Sequence, residues 1–181
     1  AAAPLLAATK SQFEALSVGR IVEGYSLTAA MMACIVNPLT GVSTHYRYDV
    51  SNPTSISSNN ITSLVGDDEG NLWIGTLDRG LNRLNPERTQ FTHYRNDPAD
   101  PSSLSDDEIL SLFLDRAGSL WVGTWTGGLN RLLPGEDTFE RFLHVPGDDS
   151  TIANDSILSI LEASSGDLWV GTRGGLDKLN T

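Results

Sequence analysis

The chain has 181 residues, 39% hydrophobic and 19% charged, a balance that excludes both a disordered and a membrane-spanning composition. Its net charge of −11 excludes a nucleic-acid partner, because a phosphate-binding face needs clustered Lys and Arg. A single cysteine, Cys34, excludes an internal disulfide or a cysteine metal cluster, and no run of 18 apolar residues offers a membrane helix.

In chain order, residues 1–8 are apolar, small and without an initiating Met. They read as the tail of a secretory signal peptide, with an Ala-rich helix start as the rival. Residues 12–18 read as a strand. Residues 19–36 fit no pattern found further on, and two readings stand: a segment out of frame or across a deletion, or a short helix from Ser26 to Val36 acting as a cap. The remainder follows one ruler. Trp73, Trp121 and Trp169 stand 48 residues apart, inside Gly70-Asn-Leu-Trp-Ile-Gly-Thr76, Gly118-Ser-Leu-Trp-Val-Gly-Thr124 and Gly166-Asp-Leu-Trp-Val-Gly-Thr172. A period of this length built from strand-like words marks a repeat architecture.

On that ruler, Asn37-Pro38 and His45-Tyr-Arg47 lie 48 residues before Asn85-Pro86 and His93-Tyr-Arg95, so 37–47 reads as the remnant of an outer strand. Residues 61–95 form one repeat. In the next, 109–143, an apolar run at 109–115 suits a strand buried on both faces. Strands at 120–124 and 129–133 follow, joined by a Gly-rich loop, and 138–143 alternates like a half-exposed outer strand. Residues 157–181 hold a third copy, short of its outer strand and one residue shorter in the loop Arg173-Gly-Gly175. Four strands per 48 residues is a propeller blade. The expected fold is all-β: a β-propeller fragment of about three four-stranded blades. Residues 1–36 are then a signal remnant and degenerate first-blade segment, and 37–181 the blades, read as part of a larger propeller.

The recurring phrase is a strand, then Asp-x-x-Gly-x-Leu-Trp-hydrophobic-Gly-Thr, then Gly-Leu-Asn-Arg-hydrophobic. It stands from Asp67 or Asp68 to Arg83, from Asp115 to Arg131, and with Ser164 and Lys178 substituted in the last copy. In these residues the chain resembles the two-component regulator propeller repeats over about 37–181. The resemblance implies a periplasmic, or more generally extracytoplasmic, sensor: the non-catalytic input half of a bacterial receptor. A β-sandwich, a membrane helix and a histidine kinase or diguanylate cyclase would lie outside this segment. It also implies a small-molecule ligand, oligosaccharides among the candidates, and a homodimeric receptor that meets the membrane only through its other parts.

The loops at 76–80, 124–128 and 172–175, with the connections at 47–60, 96–108 and 144–156, should share one rim, where binding usually sits. Asp78, Arg79, Trp125, Thr126 and Arg173 are the candidate ligand contacts. Trp125 is the aromatic that breaks the repeat. The repeated Trp73, Trp121 and Trp169, with Gly75, Gly123 and Gly171, read as structural, each indole a wedge between blades. Arg83, Arg131 and Lys178 share a position and should pair with blade carboxylates. His45 and His93 are one scaffold position seen twice, and His144 ends a strand. Asp97, Asp100, Asp106, Asp107, Asp148, Asp149 and Asp155 read as solvated turn carboxylates rather than a Ca²⁺ site. No catalytic residues, metal ligands or cofactors are assigned. A propeller-type lyase or glycosidase, needing convergent acid and base groups, and a protein-interaction scaffold are the alternative functions.

Overall fold

The computed structural model describes residues 35–36 and 43–179, and all of these are strand, turn or loop. The readings of a signal remnant, of a strand at 12–18 and of an out-of-frame segment from 19 up to Ile35 fall outside the described residues. Two units are distinguished, one ending at Tyr46 and one beginning at Arg47.

In the first unit, β1 (Ile35–Val36) pairs antiparallel with β2 (Ser43–Thr44), Ile35 opposite Thr44 and Val36 opposite Ser43. Forty-eight residues later, Arg83 stands opposite Thr92 and Leu84 opposite Phe91. This short hairpin therefore has the register of the third and fourth strands of a blade. Ile35 and Val36 are extended, not the end of a helix begun at Ser26.

The second unit holds three sheets. Two have four strands in sequence order: β3 (Ile61–Gly66), β4 (Leu72–Thr76), β5 (Leu81–Leu84) and β6 (Phe91–Tyr94), then β7 (Ile109–Leu114), β8 (Leu120–Thr124), β9 (Leu129–Leu132) and β10 (Phe139–Phe142). The third has β11 (Ile157–Glu162), β12 (Leu168–Thr172) and β13 (Gly175–Leu179). Each is an antiparallel meander, the up-and-down blade of a β-propeller. β7 is not buried on both faces: Ile109 is buried and the rest of the strand is half-buried, because a blade's first strand is an edge strand.

The first hairpin of each blade turns on a glycine with positive φ, Gly70, Gly118 or Gly166. Its N–H reaches the carbonyl of Asp67, Asp115 or Ala163. Ala163, not Ser164, thus occupies the aspartate position of the third repeat. That aspartate has a specific job. Asp67 accepts the Trp73 indole N–H at 2.8 Å and the Asn71 backbone N–H at 2.8 Å, and Asp115 does the same for Trp121 and Ser119 at 2.8 and 2.8 Å. The indoles of the first two blades are thereby satisfied as they enter the core.

Blades stack through one contact repeated. Each first strand carries a register shift, between Ile61 and Ser63, Ile109 and Ser111, or Ile157 and Ser159, opposite the Gly of the Trp phrase. A Cβ built on Gly75 would lie 2.6 Å from Ile109 Cγ2, and one on Gly123 would lie 2.7 Å from Ile157 Cγ2. The isoleucine that opens one blade is seated on the bare glycine backbone of the blade before. Around it, Trp73 and Leu81 pack with Leu104, Ile109, Val122 and Phe139, and Trp121 and Leu129 pack with Ile152, Ile157, Leu168 and Val170. Trp73 and Trp121 are 5% and 2% exposed. On the third blade Trp169 is half-buried, and Leu161 and Leu176 are 60% and 67% exposed: no described blade covers that face.

The repeated cation lies across the strand from the indole: Arg83 from Trp73, Arg131 from Trp121, Lys178 from Trp169. Arg131 stacks over Trp121 and pairs with Glu140, Nε to Oε2 at 2.8 Å, and Lys178 pairs with Asp167 at 3.1 Å. Arg83 departs from the expected carboxylate pairing. Its guanidinium lies over Trp73 and Tyr94, 5.5 and 5.7 Å from the ring centres, because Thr92 stands where the second blade has Glu140.

Gly123→Ala is expected to cost about 1–3 kcal/mol, the range for forcing a methyl into a filled core, because Ile157 cannot retreat. Gly171→Ala meets only Ser159, whose hydroxyl can rotate, and should cost clearly less. Urea melts of the two variants check this; equal losses would contradict the glycine seat.

Candidate functional site

The rim is built by the threonine that ends each Trp phrase. Thr76, Thr124 and Thr172 donate their hydroxyls to the carbonyls of Gly80, Gly128 and Gly175 at 2.7, 2.8 and 3.0 Å, closing the loop between the second and third strands. The third loop is one residue shorter and closes the same way. Each loop is also tied to the connection leading to or from its blade. Leu77, Trp125 and Arg173 donate backbone N–H to Asn60, Glu108 and Ser156, while Gly80 and Gly128 donate to Asp107 and Asp155. Loops and connections therefore do form one surface.

Beneath it lies a latch that motif reading missed. Asn82, fully buried, accepts the Ser57 backbone N–H at 2.9 Å and donates to its hydroxyl at 2.8 Å. Asn130 does the same for Ser105 at 3.0 and 2.7 Å. In the third blade Asp177 accepts the Ala153 N–H at 3.1 Å. The asparagine of Gly-Leu-Asn-Arg thus anchors the connection against its own blade. The signal available in sequence was a polar residue between apolar neighbours in a strand, with a serine 25 residues upstream in two copies.

The candidate contacts fall into two groups. Trp125, Thr126 and Arg173 come together across the second and third blades. The Arg173 guanidinium sits 4.1 Å from the Trp125 ring centre, and Thr126 donates both its N–H and its hydroxyl to Asp106, at 2.9 and 2.8 Å. Trp125 is half-buried and Arg173 exposed, so the outermost element of this patch is a cation lying on an indole. Asp78 and Arg79 belong to the first blade's loop. Asp78 accepts the Ser58 hydroxyl at 2.6 Å, and Arg79 lies 5.4 Å over the Tyr48 ring, a partner the motifs did not suggest.

The acidic residues of the connections order turns. Asp100 accepts the Ser102 hydroxyl and N–H at 2.6 and 2.9 Å, and Asp148 treats Ser150 alike. The serine hydroxyl, then the backbone N–H, holds each carboxyl below its ordinary value of 3.8. Asp107 and Asp155 accept the N–H of Asn96 and His144. The His93 and His144 rings each bond a loop carbonyl, Ser55 at 2.9 Å and Ile152 at 2.8 Å, and Arg141, one repeat after His93, reaches the Ser103 carbonyl at 2.9 Å. Among the described residues no three His, Cys, Asp or Glu side chains converge as metal ligands would. His45 lies in the first unit.

Fold and rim together define a segment of a β-propeller. The profile of the family described as two component regulator propeller matches residues 55–78, 103–126 and 151–174, each window running from the end of a connection through the first two strands into the rim loop. In these three windows the chain carries the two component regulator propeller repeat. Among solved structures, the chain is similar to the extracellular domain of BT3049 from B. thetaiotaomicron, assigned as a hybrid two component system, at 26% identity and TM-score 0.65, covering 80% of this chain and 19% of that one. It is similar to the extracellular domain of BT4673 from the same organism, also assigned as a hybrid two component system, at 22% identity and TM-score 0.61, covering 82% and 19%. It also resembles PorZ, a bacterial surface component of the type-IX secretion system of Porphyromonas gingivalis, at 21% and 0.58, covering 78% and 20%. The chain thus spans about a fifth of each of these proteins. No curated protein matches it.

Replacing Asn82 by Ala strands the buried Ser57 N–H and should destabilise the chain by about 1–3 kcal/mol, the cost of an unsatisfied buried polar group; chemical denaturation measures it. The Asp100 carboxyl has a folded-state pKa below its unfolded value, so its contribution is complete above pH 3.8 and is lost as the pH falls through the folded value. An NMR titration of its carboxyl carbon should give a midpoint below 3.8, and Ser102→Ala should raise that midpoint.

Proposed function

We propose that this chain is a non-catalytic, extracytoplasmic ligand-sensing segment of a bacterial two-component receptor. The observation that carries this reading is the three-fold repeat match, supported by the likeness to the extracellular domain of BT3049 at 26% identity. The rim residues supply a route to sensing. Trp125 belongs to the second blade and Arg173 to the third, so a ligand that stacks on the indole must move or engage a guanidinium anchored in the neighbouring blade. Binding is then coupled to the relative position of two blades. A ligand with different affinity for two such arrangements shifts their populations, and a dimeric receptor can transmit the shift. A hydroxylated ring with an apolar C–H face, such as a sugar, suits an indole face bordered by the Arg173 guanidinium and the Asp106 carboxylate, so oligosaccharides are the first ligand class to try.

A hydrolase or lyase reading would need a histidine or carboxylate poised for proton transfer. The described His93 and His144 are instead committed to loop carbonyls, which favours the sensing reading.

Calorimetry against a panel of neutral and acidic oligosaccharides tests the proposal. A binding ligand should lose about tenfold or more in affinity on Trp125→Ala, equivalent to ~1.4 kcal/mol, and should leave the panel unchanged chemically after overnight incubation. Binding indifferent to both Trp125→Ala and Arg173→Ala would move the site elsewhere, and turnover of the bound sugar would overturn the non-catalytic reading.

A further inference from the structure

At the end of the first blade opposite the rim lies a polar pocket of about 270 Å³, lined by Glu69, Asn71, Arg83, Asn85, Gln90 and Thr92. It sits beside Arg83, the first blade's copy of the repeated cation, whose surroundings differ from those of its counterparts. In the second blade, the cation at this position is engaged by a carboxylate from the fourth strand: Arg131 stacks on Trp121 and Phe142 and directs its Nε at Glu140, with one terminal nitrogen on the same oxygen. In the third blade, Lys178 is engaged by Asp167. In the first blade Arg83 keeps the aromatic platform, over Trp73 and Tyr94. Its fourth-strand partner is Thr92, however, and its guanidinium makes no hydrogen bond or ion pair among the described residues. The pocket occupies the space left beside it.

We infer that this pocket is a binding site for a small carboxylate, whose oxygens take up at Arg83 the place that Glu140 holds at Arg131. The argument rests on a template within the same chain. The two arginines share strand position, cross-strand indole and second aromatic ring, so the guanidinium of Arg83 is oriented before any ligand arrives. A rigid fork of this kind recognises a planar carboxylate through paired charge-assisted hydrogen bonds. The rest of the lining refines the choice. The side-chain amides of Asn71, Asn85 and Gln90 and the Thr92 hydroxyl suit a ligand bearing hydroxyls. Glu69 places a negative charge in the same pocket and disfavours a dianion such as sulfate. The pocket is thus matched to a hydroxylated monocarboxylic acid. This site is independent of the rim, which lies at the other end of the blade.

The full chain, labelled with ¹⁵N, is titrated with sodium gluconate, and the Arg83 Nε–Hε and Thr92 amide resonances are followed at constant ionic strength. Saturable shifts are expected at these two groups, weaker with acetate, and at least about tenfold weaker with sulfate. Thr92→Glu supplies the carboxylate from within, as Glu140 does, and should abolish the gluconate response while the Trp73 indole resonance stays dispersed. Glu140→Thr should do the reverse, opening a second saturable response at Arg131. Wild-type resonances indifferent to gluconate would overturn the assignment. So would a gluconate response that survives Thr92→Glu, or a folded Glu140→Thr protein with no new response at Arg131.

Discussion

The seating of an isoleucine side chain on bare glycine backbone is the contact on which this structure depends. Gly75 receives Ile109 and Gly123 receives Ile157, at separations that leave no room for a methyl group. The indole beside each glycine walls the seat, and the aspartate at the first hairpin satisfies the indole N–H that would otherwise be buried without a partner. The phrase Asp-x-x-Gly-x-Leu-Trp-hydrophobic-Gly-Thr is therefore a sequence of mechanical parts. The aspartate holds the tryptophan, the tryptophan fills the gap between blades, the glycine lets the next blade approach, and the threonine closes the rim loop. Each blade contacts its neighbours alone, so the assembly is a stack of near-identical interfaces with stability distributed along it.

The strands and their repeat were legible because every one of those parts lies within a dozen residues of the others. Local turn chemistry fixes the hairpin, and hydrophobic alternation fixes which face meets the next blade. What escaped was what depends on residues far apart in sequence. The Asn82 and Asn130 latches join positions 25 residues apart, and nothing in Gly-Leu-Asn-Arg announces that its asparagine faces a loop rather than solvent. The partner of Arg83 is decided across the sheet at position 92, so the shared repeat position suggested an ion pair that the side chain opposite does not provide. The hairpin of β1 and β2 shows the same limit from the other side. Its register matches a blade; the ruler placed an outer-strand remnant at 37–47, but without the Gly-Leu-Asn-Arg words the strand at Ile35–Val36 carried too little pattern to be read as its partner.

The candidate contacts illustrate how a sequence can mark a surface without describing its state. Trp125 stood out as an aromatic that breaks the repeat, and Arg173 as the substituent of a shortened loop. Only the stacking of blades shows that these two departures meet, a cation lying on an indole across an interface. Asp78 and Arg79, one repeat earlier, are occupied with Ser58 and Tyr48. The rim is thus asymmetric even though the scaffold beneath it repeats, as expected where loops vary on a fixed frame.

The four tryptophans occupy three kinds of surroundings, and this turns the chain into its own optical gauge. Two indoles are enclosed and hydrogen-bonded to a carboxylate, one is half in water with alanine where those two have that carboxylate, and one lies at the rim under a guanidinium from the neighbouring blade. Indole emission depends on solvent contact and on nearby charge, so single-tryptophan versions of the protein would report on each blade separately. Loosening at one end of the stack could then be told from loosening at the other without any added label.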